Sequence, residues 1–194
     1  MRKKIEGRTR LRLIPGGLHC EMSFDHVRIV AAPQNSPPFD VEGLAFEEDT
    51  WLVMSAEPKA SEPQEHPIRL MTSLIEAKPE RLGSVLIQGN HPLRFLAVVH
   101  DVNQEPTWKE EWIESALREI FRKAEQRKLQ AIGLPLLGTL HGRLENLRFA
   151  VLLGRALKQA TFNHLRRLWL ITSPIITSEI IEMLEAELFR NSSC

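Results

Sequence analysis

Leu129-Gln-Ala-Ile-Gly-Leu-Pro135-Leu-Leu137-Gly138-Thr139-Leu140-His141-Gly142 is the stretch from which the rest of this 194-residue chain is best read. It opens as a short apolar run of strand length, enters a loop bounded by Gly138 and Gly142, and leads into a helical pattern from Leu144. Strand, tight turn and helix in that order is the arrangement α/β proteins use to hold phosphates, because loop amides and a helix amino terminus converge on an anion. The two glycines would let the chain adopt positive φ and let a ligand approach the backbone without meeting a Cβ. A glycine-rich turn between strand and helix is just as often only a turn, so the loop is a candidate site.

Toward the carboxyl end, Leu144, Leu147, Val151, Leu152 and Leu157 give a helix over about 144–160 with an apolar face. Glu145 is the only acid in its first turn, which leaves the amino end open to an anion. Leu168 to Thr172 reads as a strand. Ser173-Pro174 reads as cap and first-turn proline of a closing helix, with Ile176, Ile180, Leu184 and Leu188 as its buried stripe.

Toward the amino end, Trp112, Ala116, Ile120 and Ala124, with Ile113, Leu117 and Phe121 beside them, predict a helix from about Trp108 to Arg127. Thr107 and Glu110 have capping-box spacing. Before it, residues 84–88 and 93–100 read as strands joined by Gly89-Asn-His-Pro92, the second so apolar that both its faces should be covered, with His100 as a packed or hydrogen-bonded histidine at its end. Residues 8–14 and 18–24 flank Pro15-Gly16-Gly17 as an edge hairpin, and His26 to Ala32 reads as a buried central strand. Residues 39–55 read as an inserted β-hairpin, with Glu47-Glu48-Asp49 as its turn and Trp51 in the core. A Pro-rich loop to about residue 67 and a helix over 64–77 follow.

The chain suits one domain over residues 1–194 with that embellishment. Lys and Arg balance Asp and Glu at 25 each, which argues against a protein built chiefly to bind nucleic acid. Arg8, Arg10 and Arg12 alternate as on the solvent face of a strand. Cys20 and Cys194 form no disulfide framework, and no secretory or membrane-spanning segment is legible, so a cytoplasmic address is expected. The seven histidines lack metal-binding spacing, so neither a metal nor a cofactor is expected.

From about Gly83 to Leu188 the chain resembles the second half of a macro domain, a module whose members bind ADP-ribose and related nucleotides and sometimes hydrolyse ADP-ribosyl linkages. The resemblance is carried by the order of Gly83-Ser-Val-Leu-Ile-Gln-Gly89, the strand Phe95 to His100 with Pro106 and Trp108 after it, a long amphipathic helix, and Ala131-Ile-Gly-Leu-Pro135-Leu-Leu-Gly138-Thr139. The last of these is similar to the family's Pro-x-Ile/Leu-Gly-Thr-Gly loop. The resemblance implies a three-layer α/β/α sandwich with a central mixed sheet, and a ligand-binding loop made of Leu137, Gly138, Thr139, Leu140, His141 and Gly142. It differs in being one residue shorter and in having Leu140 at the middle glycine. His141 stands roughly where the family has an aromatic near the phosphates and distal ribose. The family's Asn-Ala-Ala-Asn strand ending and glycine run are sought after the strand ending in Ala32, where Gln34 or Asn35 would stand in for the last Asn. As plain sequence, both are turn formers beside prolines.

Three functions follow as expectations. The first is a module binding ADP-ribose or a related nucleotide at Gly138–Gly142, the second a protein-interaction or oligomerisation module with a degenerate pocket, and the third a hydrolase acting on ADP-ribose derivatives. No nucleophile and base, or paired carboxylates, stand at recognisable spacing for the third.

Overall fold

The computed structural model describes residues 10–14, 17–54 and 78–189. Eight strands form one sheet: β1 (Arg10–Ile14), β2 (Gly17–Phe24), β3 (Val27–Ala32), β4 (Gly43–Asp49), β5 (Val85–Gln88), β6 (Leu93–His100), β7 (Ala131–Pro135) and β8 (Arg167–Ile171). Their spatial order is β1-β2-β3-β8-β7-β4-β6-β5. The β1/β2, β2/β3 and β5/β6 pairs are antiparallel, and the five strands from β3 to β6 in that order run parallel. The sheet is therefore mixed, with hairpins at both edges and a parallel centre.

Three helices, α1 (Glu110–Gln126), α2 (Asn146–Gln159) and α3 (Thr177–Phe189), pack side by side on one face of this sheet. Their apolar stripes explain the arrangement: Ile113, Leu117, Ile120 and Phe121 of α1, Phe149, Leu152 and Leu153 of α2, and Ile180 and Leu184 of α3 are all buried. From the sheet, Ile29, Ala45, Phe95, Ala97, Ile132, Leu134 and Leu168 point into the same core. Fully burying each large side chain contributes about 1.5–3 kcal/mol, so this interface dominates the stability of the fold. The opposite face carries Leu44, Gly133, Trp169 and Ile171, which meet one another around Gly133. The chain is an α/β sandwich around a central mixed sheet, as expected.

Several local expectations are corrected. The hairpin expected over 39–55 is not formed by its described part, 39–54: Gly43–Asp49 is a single strand lying parallel between β6 and β7 in the middle of the sheet. Residues 50–52 turn away from it, and Trp51 is 44% exposed instead of buried. Helix α1 begins at Glu110 behind an uncapped Lys109, because the Thr107 hydroxyl is engaged by His100. Leu147 faces solvent on the first turn of α2. Pro174 sits three residues before α3, where its carbonyl accepts from the Thr177 hydroxyl at 2.8 Å. The Pro15-Gly16 turn, the loop over 56–67 and the helix over 64–77 lie outside the described residues.

Candidate functional site

The carboxyl ends of β4, β7 and β8 lie side by side, and the chain leaving each of them borders one cavity of about 670 Å³. That placement follows from the topology, since parallel strands bring their following loops to a common edge. The wall over the sheet is apolar, with Leu44, Phe46, Pro135 and Ile171. Polar groups stand at intervals around it: Gln34 after β3, Glu47 on β4, Arg94 on β6, Asn146 at the start of α2, and Thr172 and Ser173 after β8. An apolar wall with a few convergent polar groups, at this volume, is what small-molecule sites have in common.

The glycine loop contributes Thr139, Leu140 and His141 to the cavity. Gln34 joins them from the far side. Leu137, Gly138, Gly142 and Asn35 are not among its described lining residues: Leu137 and Gly138 are buried behind it and Asn35 faces solvent. Of the two glycines only Gly138 adopts positive φ, at 80°. Gly142 is required for a different reason. A Cβ there would lie 2.3 Å from Trp108 Cδ1 and 2.6 Å from the Gly138 carbonyl oxygen.

The loop's amides divide into two sets. The Gly138 N–H donates to Glu47 Oε1 at 2.7 Å, the Thr139 N–H to the Leu136 carbonyl at 3.1 Å, and the Leu144 N–H closes the loop onto the Gly138 carbonyl at 2.9 Å. The N–H groups of Leu140, His141 and Gly142 make no hydrogen bond to a described residue. Leu140 is 79% exposed, so the shortened loop turns that side chain outward instead of filling the cavity with it.

Glu47 ties the site together. Its second oxygen, Oε2, accepts from His100 Nε2 at 2.9 Å, and His100 Nδ1 meets Thr107 Oγ1 at 3.1 Å. A carboxylate only accepts, so Nε2 carries the hydrogen, and in the neutral ring Nδ1 accepts from the Thr107 hydroxyl. The His100 ring also meets His141 edge-on, with centroids 6.2 Å apart. His100 thus has the hydrogen-bonded strand-end role expected of it. Asp49, at the end of β4, accepts from the N–H groups of Trp51, Val53 and Met54 and so fixes the turn that brings Met54 to the cavity.

Sequence reasoning missed Phe46, Glu47, Met54, Arg94 and Thr172 as cavity residues. The available signal was the run Gly-Leu-Ala-Phe-Glu-Glu-Asp49, a strand that ends in carboxylates. Thr172 is notable because its Oγ1 is buried and has no hydrogen-bond partner among the described residues. No group of three His, Cys, Asp or Glu among the described residues is arranged to hold a metal, and no described helix is long and apolar enough to cross a membrane.

No family model matches the sequence, and no curated protein matches it. Solved structures do. The Oceanobacillus iheyensis macrodomain, in a variant solved with ADPR, is similar over 91% of this chain and 100% of its own, with a TM-score of 0.61 at 12% identity. This chain has the macrodomain fold. The macrodomain of Thermus aquaticus DarG agrees, with a TM-score of 0.54 at 16% identity over 75% of this chain and 98% of its own. The Oceanobacillus macrodomain with ADP aligns with a TM-score of 0.60 at 12% identity, over 89% of this chain and 95% of its own. Within this macrodomain fold β7, which leads into the glycine loop, lies between β8 and β4, and the acidic ending of β4 reaches the loop through Glu47.

Proposed function

We propose that the chain is a nucleotide-binding module whose cavity takes ADP-ribose or a related adenine nucleotide. The observation that carries this reading is the cavity of about 670 Å³ at the carboxyl edge of the parallel strands, bordered by the glycine loop. Macrodomains of similar fold solved with ADPR and with ADP support it. The apolar wall of Leu44, Phe46 and Ile171 suits a base. The Leu140 and His141 amides and the His141 ring suit the polar end of the ligand, and Gln34 and Thr172 offer hydrogen bonds to it from the chain after β3 and β8.

The test is thermal unfolding with adenosine, ADP or ADP-ribose at millimolar concentration, beside Leu140→Glu. A ligand present at 100 times its Kd stabilises by about 2.7 kcal/mol, a readily measured rise in Tm. The natural protein should show such a rise with at least one of the three, and Leu140→Glu, which sets a carboxylate at the exposed tip of the loop, should lower the response to the phosphate-bearing ligands. A flat response to all three would remove the nucleotide reading.

A second reading, a protein-interaction or oligomerisation module, is favoured by one observation: Leu140 at 79% and Ile175 at 89% exposure are large apolar side chains on loops beside the cavity. A Tm indifferent to nucleotides together with a concentration-dependent mass in light scattering would support it.

A further inference from the structure

A buried carboxylate already stands at the head of the glycine loop. Glu47 has a side chain only 7% exposed, borders the cavity, and holds the Gly138 N–H with one oxygen and the His100 ring with the other. The loop's leading amide is therefore met by an anion of the protein's own. A phosphate brought to that amide would displace Glu47 from it or sit against its charge in a low-dielectric setting, and either is unfavourable. We propose that Glu47 is an internal anion that fills the phosphate end of the loop and sets the site's preference for a nucleoside over a nucleoside diphosphate. This rests on the reading of the cavity as an adenine-nucleotide site and names the part of such a ligand that the site recognises, its nucleoside.

The rest of the cavity fits a ligand that is neutral at the loop. Thr172 offers a buried hydroxyl without a partner among the described residues, suited to a base or sugar polar atom. Arg94 stacks on Phe46, 4.8 Å from the ring centroid, and is in register with Leu44, three residues before Glu47 on β4. Its guanidinium thus lies on the apolar wall over Phe46, and Glu47 is the charged side chain bonded to the loop's leading amide.

Glu47→Gln tests the charge without dismantling the network. The glutamine oxygen keeps the Gly138 N–H, its amide donates to His100 Nε2, and the ring hydrogen moves to Nδ1, which then donates to Thr107. Calorimetric titration with adenosine and with ADP should show the natural protein preferring adenosine by about tenfold or more, equivalent to roughly 1.4 kcal/mol. In Glu47→Gln, ADP should tighten by about tenfold while adenosine stays within about twofold. Preference for ADP in the natural protein, or equal changes for both ligands, would overturn the proposal and leave the nucleotide reading standing. Binding of neither ligand to either protein would remove both. Should the glutamine variant not fold, Glu47→Ala serves with inorganic phosphate as the probe. The proposal expects phosphate to raise its Tm and not that of the natural protein, and is overturned if phosphate acts alike on the two.

Discussion

The Trp108 ring lies against Gly142 so closely that a Cβ on the glycine would fall 2.3 Å from Trp108 Cδ1. The neighbouring Gly138 carbonyl oxygen would be 2.6 Å away on the backbone, so moving the ring alone does not make room. Gly142→Ala should therefore destabilise the protein by about 1–3 kcal/mol, the usual penalty of overpacking. Urea unfolding reads this as a lower midpoint at unchanged slope. A variant as stable as the natural protein would mean that Trp108 does not pin the loop.

Thr172 makes the opposite kind of prediction. Its hydroxyl oxygen is buried without a partner among the described residues, and the residue is 8% exposed beside the cavity. Thr172→Val removes an unsatisfied polar atom at nearly constant shape, so stability should hold or rise by up to about 1–2 kcal/mol. Nucleoside affinity should fall by about tenfold. Loss of stability with affinity intact would make the hydroxyl a structural group and not a ligand contact.

Glu125 at the end of α1 receives the N–H groups of Asn163, His164 and Leu165 at 2.8 to 3.1 Å. Burial raises its pKa, and the three N–H groups, helped by His164, outweigh that and hold it below the ordinary glutamate value. A value lower in the folded than in the unfolded chain gives stability that is complete above the unfolded value and is lost as pH falls through the folded one. Glu125→Gln should cost roughly 1 kcal/mol at neutral pH, an amount reduced by partial exposure. The difference between the two proteins should shrink as pH falls below the glutamate range. Thermal unfolding across pH 7 to 3 measures it, and a pH-independent difference would contradict the assignment.

Much of this was legible in the chain because helix periodicity and strand composition are local. The stripe from Ile113 to Ala124, the apolar run from Phe95 to Val99 and the loop after Pro135 all match the structure. What escaped was set by distant partners. Glu47-Glu48-Asp49 has the composition of a solvated turn, and nothing within a few residues shows that Glu47 will meet an amide 91 positions later, or that Asp49 will hold three N–H groups of the turn after it. Thr107 looked like a cap because Glu110 follows at capping spacing. His100, seven residues before it, takes the hydroxyl instead. In each case a polar side chain was assigned by its neighbours in sequence, while a buried partner decided its role.

Everything proposed for this chain depends on the cavity at the ends of β4, β7 and β8 receiving a nucleotide or its nucleoside. Amide chemical shifts in a two-dimensional 15N spectrum, recorded as adenosine or ADP-ribose is added, test it residue by residue. Saturable shifts are expected at Thr139, Leu140, His141 and Thr172. Spectra unchanged at millimolar ligand, or shifts confined to the groove near Arg118 and Arg122 between α1 and α2, would contradict it.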